Sequence, residues 1–398
     1  MDTGRLPPPT SPLPIPLIIA ARRSPIGRAG RSLRSLTAAK LMVPVLQALL
    51  IDSGLAAAQV EEVILGNAVG GGGNLARLAA LTAGFPVTVP GLTIDRQCGS
   101  GLEAISLAAR LIQSGAVEAV IAGGVESVST APWRVEKPKS LYDLPQFVNR
   151  AQFSPDGIGD PDMGIAAENV AQKYDISRDR QDQYALRSHQ KAIDSIQSGR
   201  FQSEIVPIGL PGASSIDTDE CPRSNLTLER LAKLPPAFRE GGTVTVGNTC
   251  PINDGAAAVL MISDRLFHQL GLTQGLRVVD TASAGVDPNL LGIAPIASTQ
   301  KLLNRHPELS IDQIDLVEFN EAFAAQVLAC LDGLSIPESK VNVGGGAIAL
   351  GHPYGASGAI LVTRLFTELV RRESSARLGL ATMGIAGGLG VSLLVEKY

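Results

Sequence analysis

The chain has 398 residues, a net charge of −4 at neutral pH, and contents of 45% hydrophobic and 18% charged residues. This length predicts two or three domains, at roughly 100–200 residues per domain. No apolar run approaches the roughly 20 residues of a transmembrane helix. The slightly negative net charge argues against nucleic acid or a membrane surface as a partner. An anionic ligand would therefore need a local cluster of basic groups.

The four cysteines, Cys98, Cys221, Cys250 and Cys330, are far apart and form no C-x-x-C pair. This spacing argues against a disulfide framework and against a metal site. We therefore expect a reducing, cytoplasmic location.

The first 16 residues include six prolines between Pro7 and Pro16, which predicts an extended, poorly ordered leader. An organelle transit peptide is the alternative, because arginines follow at positions 22, 23, 28, 31 and 34. These arginines, however, fall at the end of the first predicted strand and in the loop after it.

Strands and helices alternate in the first third of the chain. Apolar runs and helical spacing predict strands at residues 17–21, 60–67, 92–95 and 117–124, and helices at residues 37–55, 74–83 and 102–111. This α/β alternation indicates a mainly parallel sheet that helices cover on both faces.

Residues 127–249 differ in composition from the first third of the chain. They contain many prolines and polar runs and one clear helix, at residues 177–198. Ser177 is a suitable N-cap for that helix, Asp179 complements the helix dipole, and Gly199 ends it. We interpret this region as a loop-rich insertion, after which residues 252–262 return to the small, apolar character of the first domain.

The last third of the chain repeats the first. The stretch EVILGN (62–67) aligns with DLVEFN (315–320) at an offset of 253 residues, and this offset carries Cys98 to the residue before His352. We also match VIAGG ending at Gly124 with GIAGG ending at Gly388. The repeat predicts two copies of one α/β unit about a pseudo-dyad, which would bring Cys98 and His352 to one site.

Cys98 lies in RQCGSGLEAI, where a predicted strand turns into a predicted helix. A thiol before Gly-Ser-Gly at a helix N-terminus is expected to be an exposed nucleophile with a lowered pKa. The alternative is a small buried hydrophobic residue in ordinary α/β packing.

His352 lies in the glycine-rich stretch GGGAIALGHPYGASGA, where Tyr354 is the only other titratable residue. A histidine at such a turn is difficult to explain by packing, and we expect it to act as base to the thiol and as donor to an oxyanion. Asn320 follows a predicted strand in FNEAFAAQ, where it is expected as a second polar group of this site and as the N-cap of the next helix, two roles that are compatible. The other three histidines, His189, His268 and His306, are expected to be structural.

Seven motifs together resemble the thiolase family from about residue 17 to the C-terminus. They are RQCGSGLEAI, AGGVESVS, MGIAAENVA, SHQKA, GTVTVGNTCPINDGAA, NEAFAAQ and GGGAIALGHPYGASGA. The resemblance implies duplicated α/β units in a layered αβαβα arrangement. It divides the chain into an N-terminal domain (17–126 with 250–275), an insertion that binds coenzyme A (127–249) and a C-terminal domain (276–398). Ketoacyl synthases are similar to a lesser degree, because they lack NEAF and the long insertion.

The resemblance also implies roles for individual residues. Cys98 would carry the acyl group, His352 would activate it, and His352 with a water held by Asn320 would form one oxyanion hole. The backbone N–H groups of Cys98 and Ala386 would form a second one. Met163, Cys250, Phe323 and Gly384 would lie close to substrate or coenzyme A.

Two positions depart from the family pattern. Thiolases carry a second cysteine in a terminal C-x-G turn, where it removes a proton from the acceptor acetyl group, and this chain has Gly384 there and Ala386 two residues later. Where the family has a serine after GTVTVGN, this chain has Cys250, either as a relocated thiol or as a simple replacement. Asp162, before Met163, stands where biosynthetic relatives often have histidine, and its charge would disfavour a phosphate nearby.

The sequence therefore predicts an acyltransferase that acts on acyl-CoA through an acyl-Cys98 intermediate, in acetyl-CoA condensation or 3-ketoacyl-CoA thiolysis. Coenzyme A would be a substrate or product, with no tightly bound cofactor. Because of Gly384, an acyl transferase or hydrolase without carbon–carbon bond formation and a non-catalytic CoA-binding partner remain alternatives. The resemblance implies a homodimer or homotetramer.

Overall fold

The structure is a computed structural model that describes residues 13–140, 142–210, 212, 214–372 and 374–398. Residues 1–12 of the predicted leader lie outside the described residues. Ile15 and Pro16, which the prediction assigned to the leader, are part of the fold, because Ile15 exchanges hydrogen bonds with Asp264 and Pro16 is the first residue of a strand.

The strands of the described chain are β1 (Pro16–Arg23), β2 (Gly27–Arg28), β3 (Glu62–Gly66), β4 (Gly91–Ile94), β5 (Ala119–Glu126), β6 (Val135–Glu136), β7 (Gln146–Phe147), β8 (Asn253–Ser263), β9 (Leu276–Gly285), β10 (Leu316–Phe319), β11 (Leu378–Ile385) and β12 (Leu389–Lys397). The α-helices are α1 (Ala38–Ser53), α2 (Leu75–Thr82), α3 (Ser100–Gln113), α4 (Met163–Lys173), α5 (Arg178–Gln197), α6 (Leu228–Ala232), α7 (Asp264–Gln269), α8 (Ala294–Leu303), α9 (Ala324–Leu334), α10 (Ala347–Leu350) and α11 (Tyr354–Phe366).

One continuous mixed sheet runs in the order β4-β3-β5-β8-β1-β9-β12-β11-β10, with β2 paired to β8. The prediction of a mainly parallel sheet is wrong. Only the pairs β3–β4, β3–β5 and β10–β11 are parallel among the described strands. Strand β8 returns from the insertion and runs antiparallel between β5 and β1, and β12 follows β11 through a tight turn that imposes antiparallel pairing.

The duplication inferred from the sequence is present in the sheet. The order β3-β5-β8-β1 recurs as β10-β11-β12-β9, and the two halves join where β1 pairs with β9. The match of VIAGG with GIAGG is wrong, however. Gly124 lies inside β5 opposite Gly66, whereas Gly388 lies in the β11–β12 turn, beyond the end of β11. Gly124 therefore belongs to a strand and Gly388 to a turn, so the two glycines do not occupy equivalent positions in the repeat.

Helices α3 and α11 pack on each other and lie between the two halves of the sheet. Helices α1 and α2 cover the outer face of the first half, and α8 and α9 cover that of the second. This is the predicted layered αβαβα arrangement. The central layer is tight, because a Cβ on Gly101 would lie 2.5 Å from the carbonyl oxygen of Gly355. Both helices direct their N-termini to the same end of the molecule.

The insertion contains the predicted long helix, α5, and also α4, α6 and the small hairpin β6–β7. The Ser177 hydroxyl caps α5 by accepting from the Arg180 N–H. Helix α4 escaped prediction because its buried face is made of small residues, Gly164, Ala166 and Ala167 among them, which give little periodic hydrophobic signal. None of the helices in the described ranges has the length and apolar character needed to span a bilayer.

Candidate active site

A cavity of about 1100 Å³ opens between the insertion and the end of the central helix layer. Seven of the eight sequence-predicted site residues line it: Cys98, Met163, Cys250, Phe323, His352, Gly384 and Ala386. Asn320 lies behind His352, and its Nδ2 is 3.5 Å from the histidine Nε2. The fold therefore brings all eight positions together.

The turn that presents Cys98 is held by its neighbours. Gln97 adopts a left-handed conformation with φ +48°. The Ser100 hydroxyl accepts from the Arg96 N–H and donates to the Gln97 carbonyl (2.6 Å). Gly99 lies against Ile385, because a Cβ there would be 2.2 Å from Ile385 Cδ1 and the end of that side chain would have to shift. The predicted sharp turn before a helix is thus confirmed, and its left-handed residue directs the following thiol into the cavity.

The pKa of the Cys98 thiol is raised by burial to about 12. The backbone N–H groups of Cys98 and Ala386 hydrogen-bond to the sulfur and oppose this rise, while the charges of Glu126 and Asp95 add to it. The predicted lowering of this pKa by the helix N-terminus is therefore wrong. Desolvation of a thiolate costs more than two or three oriented N–H groups recover.

His352 is 2% exposed, and burial lowers the pKa of its imidazole to about 4. Its Nδ1 lies 2.6 Å from the Ser357 hydroxyl, and its backbone N–H donates to Asn253 Oδ1. With the proton on Nδ1 and donated to Ser357, Nε2 is left as an acceptor that faces Asn320. Gly351 has φ +119°, and a Cβ there would collide with the Asn253 amide.

Asn320 is 1% exposed, and its backbone N–H donates to the Thr382 carbonyl. Helix α9 begins at Ala324 with Phe323 as its N-cap, so the prediction that Asn320 is also that cap is wrong. Its amide is instead directed at His352.

Both halves of the chain match thiolase family models. The model described as thiolase, N-terminal domain, matches residues 16–265, and the model described as thiolase, C-terminal domain, matches residues 272–397. The chain belongs to the thiolase family.

Relatives and solved structures agree with this assignment. The chain is 47% identical to "Putative acetyl-CoA C-acetyltransferase VraB" of Staphylococcus epidermidis, covering 96% of this chain and 98% of the relative, and 44% identical to the protein of that name in Staphylococcus aureus, covering 96% and 99%. Among solved structures, it is similar to the Bacillus anthracis acetyl-CoA acetyltransferase, with a TM-score of 0.92, 40% identity and coverage of 98% of this chain and 100% of that one. Human mitochondrial 3-ketoacyl-CoA thiolase gives a TM-score of 0.91 at 36% identity, with the same coverage.

Gly384 of this thiolase has no space for a side chain. It lies in β11, and a Cβ there would be 2.3 Å from the Gly292 Cα and 2.9 Å from the Gly292 carbonyl oxygen. A Gly384→Cys replacement would therefore have to displace the backbone between β9 and α8. The backbone of Gly292 therefore occupies the space that a side chain at position 384 would need.

Cys250 lies in a segment joined to two other parts of the site. Thr249 forms a bridge with Phe323, Cys250 N–H donates to the Ala322 carbonyl, and Ile252 forms a bridge with His352. The pKa of the Cys250 thiol is raised by burial and then by the charge of Cys98.

Tyr354 is a site residue that the sequence reasoning did not assign. Its ring meets the His352 ring edge to face at 5.3 Å, and it lines the cavity. Burial raises the pKa of its phenol, and the charges of Cys98 and Cys250 add to this effect. Its position as the only other titratable residue of the GGGAIALGHPYGASGA stretch was the available signal.

The entrance of the cavity is basic. Arg28, Arg31 and Arg223 line it, together with Glu220. The charge of Asp162 is compensated, because its carboxylate accepts from Arg150 Nε (2.9 Å). The predicted repulsion of a phosphate by Asp162 is therefore weakened by an adjacent guanidinium.

The remaining histidines have structural partners. His189 Nδ1 accepts from the Arg223 backbone N–H at the cavity wall, and burial lowers the pKa of its ring to about 4. His306 lies 3.0 Å from Asp280 on the surface. His268 packs its ring against Phe267 in α7.

Proposed function

We propose that this thiolase is an acyl-CoA C-acyltransferase that works through an acyl-Cys98 intermediate, in acetyl-CoA condensation or 3-ketoacyl-CoA thiolysis. The observation that carries the proposal is the convergence of Cys98, two backbone N–H groups on its sulfur, and His352 in one cavity, with Asn320 directly behind the imidazole. The names of the relatives support the reaction class.

The first half-reaction follows from the protonation states. A thiol with a pKa of about 12 and an imidazole with a pKa of about 4 are both neutral at pH 7. His352 Nε2 therefore takes the thiol proton as Cys98 attacks the thioester carbonyl, and it returns the proton to the departing CoA sulfur. The N–H groups of Cys98 and Ala386 stabilise the oxyanion, which contributes about 3–4 kcal/mol for each donor.

The second half-reaction uses the pair formed by the His352 imidazole and the Asn320 amide. An acceptor thioester with its carbonyl oxygen near His352 and Asn320 would have its developing enolate stabilised there. Collapse onto the acyl carbon forms the new bond and releases Cys98. In thiolysis the same steps run in reverse.

Coenzyme A is proposed as substrate and product, without a tightly bound cofactor. The guanidinium groups of Arg28, Arg31 and Arg223 at the entrance provide the local positive charge that its phosphates need. Met163 and Phe323 supply apolar walls deeper in the cavity. The insertion contributes Arg223 to the first region and Met163 to the second, which supports a CoA-binding role for residues 127–249.

A homo-oligomer of two or four chains is also proposed. The edge strand β4 and the hairpin β6–β7 carry exposed apolar side chains, including Leu92, Trp133 and Phe147. Light scattering on the purified protein would test this, and a monomer at micromolar concentration would contradict it. The four free thiols agree with a reducing, cytoplasmic location.

Steady-state thiolysis of acetoacetyl-CoA tests the function. We expect CoA-dependent loss of the substrate with the natural enzyme and at least a 10³-fold slower reaction with Cys98→Ser, since the nucleophile is removed. Turnover by Cys98→Ser at the natural rate would contradict the proposal.

Gly384 supports a second candidate, an acyl transferase or hydrolase that lacks carbon–carbon bond chemistry. It predicts acylated Cys98 and CoA release from acetyl-CoA but no thiolysis of acetoacetyl-CoA. Measurable thiolysis would reject this candidate.

A further inference from the structure

The proposed function leaves one proton without an acceptor. Condensation requires a base at the α-carbon of the acceptor acyl-CoA, and thiolysis requires an acid there. Position 384 offers neither a side chain nor room for one, since Gly292 occupies the space. The group must therefore come from elsewhere in the cavity, and the inference below rests on the proposed function.

The titratable side chains that line the cavity leave few choices in the described part of the chain. His189 accepts from the Arg223 N–H, and Cys221 is hydrogen-bonded to Asn253 Nδ2 (3.2 Å). Glu220 accepts from the Arg28 N–H and the Ser32 hydroxyl at the entrance. Apart from Cys98 and His352, the groups that remain near the reacting sulfur are Cys250 and Tyr354.

The segment 249–252 places Cys250 between His352 and the loop that follows Asn320. Asn320 and His352 are the two residues proposed to hold the carbonyl oxygen of the acceptor thioester. On one side it is bonded to the loop that follows Asn320, through the Ala322 carbonyl (3.1 Å) and the Phe323 bridge. On the other side it is bonded to His352 through Ile252. An acceptor with its thioester oxygen at Asn320 and His352 would thus have its α-carbon between this segment and Cys98.

We propose that Cys250 is the group that exchanges a proton with the α-carbon of the acceptor acyl-CoA. In condensation, Cys250 first transfers its proton to neutral His352. The thiolate then takes the α-proton, and the electron pair of that C–H bond attacks the acyl carbon on Cys98. The C–S bond breaks, and the imidazolium returns its proton to the Cys98 thiolate, so protons and charge balance.

Two properties favour Cys250 over Tyr354. A thiol is intrinsically more acidic than a phenol, so its conjugate base forms at lower cost. Cys250 is also joined to the loop that follows Asn320 through the Ala322 carbonyl, whereas Tyr354 meets the His352 ring edge to face at 5.3 Å.

The test measures loss of deuterium from acetyl-CoA carrying a fully deuterated methyl group, in ordinary water, beside acylation of Cys98 by intact mass. We expect Cys250→Ala and Cys250→Ser to slow deuterium loss at least 100-fold relative to the natural enzyme, while both variants still reach an acylated Cys98. Serine keeps the size of the side chain but is far less acidic than cysteine. Slower deuterium loss in both variants would therefore indicate that proton transfer is lost and not that the packing has changed.

Tyr354→Phe is the comparison variant, with an expected effect below tenfold on deuterium loss. A larger loss in Tyr354→Phe than in Cys250→Ala would overturn the assignment in favour of the phenol. Deuterium loss at the natural rate in Cys250→Ala would overturn it as well, as would a natural enzyme that acylates Cys98 but exchanges no deuterium. Absence of acylation in the natural enzyme would instead contradict the proposed function.

Discussion

At the scale of single residues, Cys98 and His352 both line the cavity in their neutral forms and not as an ion pair. Burial acts on both, since it raises the pKa of the thiol to about 12 and lowers that of the imidazole to about 4. In the proposed reaction the proton would therefore move only when a thioester is in place. This arrangement protects the thiol from unselective electrophiles at neutral pH.

We expect alkylation of Cys98 by iodoacetamide to be slow at pH 7 and to rise about tenfold per pH unit up to pH 10. The raised pKa predicts this slope, because the thiolate fraction keeps growing below the pKa. Peptide mass spectrometry across a pH series would measure it. A plateau reached by pH 8 would contradict a raised pKa.

We expect Ser357 to orient the imidazole of His352, the proposed base. Its hydroxyl lies 2.6 Å from His352 Nδ1 and does not contact the cavity. Ser357→Ala should lower kcat for thiolysis about tenfold while KM changes little, because the imidazole loses its orienting partner. Ser357→Thr keeps the hydroxyl and is expected to recover part of the loss; a Thr variant as slow as the Ala variant would contradict this role.

Cys98 and His352 could be predicted from the sequence because glycines stand next to them. Cys98 precedes Gly-Ser-Gly and His352 follows Gly351, and each of these glycines lies in a close contact of the fold. The thiol pKa could not be predicted, since the burial that raises it depends on how the insertion covers the turn. Tyr354 was not assigned, although it is the only other titratable residue of its glycine-rich stretch, because the sequence does not show that the start of α11 faces the cavity.

At the scale of elements, the contact of α3 with α11 determines where the two catalytic turns meet. Helix α3 begins two residues after Cys98 and α11 begins two residues after His352, and small residues let the backbones approach closely. Gly101, Gly355 and Gly358 lie in this contact. The distance between Cys98 and His352 thus depends on a helix pair that has no room for added methyl groups.

Gly101→Ala should lower both stability and activity. The new Cβ would lie 2.5 Å from the Gly355 carbonyl, so the helices must separate, which typically costs about 1–3 kcal/mol. Thermal unfolding would measure this cost. Gly209→Ala is the control, because a Cβ at Gly209 meets nothing within 4 Å; equal effects of the two substitutions would contradict the packing argument.

The repeat of elements was predictable, but strand direction was not. Matching sequences at β3 and β10 revealed the duplication, whereas β8 and β12 carry apolar runs that suit either direction. Buried strands contain no alternation that distinguishes parallel from antiparallel pairing. Direction was decided by the connections, a long insertion before β8 and a tight turn before β12.

At the scale of the whole molecule, a buried ionic network ties the insertion to the two-fold core. Glu204 of the insertion accepts from Arg23 of β1 (2.8 Å) and from Arg364 of α11 (2.6 Å), and all three are fully buried. Phe201 stacks against both guanidinium groups at 5.1 and 4.5 Å. This network holds the insertion over the cavity that it helps to line.

Glu204→Gln should lower the free energy of unfolding by about 1–3 kcal/mol, because two buried guanidinium groups lose a charged partner while Asp219 still pairs with Arg23 and Glu368 with Arg364. Denaturant unfolding would measure the change. Glu240→Gln, at an exposed position of the insertion, is the control and should have little effect. Equal stability of the two variants would contradict a structural role of the network.

The central claim is that Cys98 carries the acyl group, and peptide mapping after incubation with acetyl-CoA alone tests it most directly. The account predicts one acetyl group per chain, located on the peptide that contains Cys98, with one CoA released for each acetyl group bound. Release of CoA without any acetylated Cys98, or acetylation at another residue in its place, would contradict it.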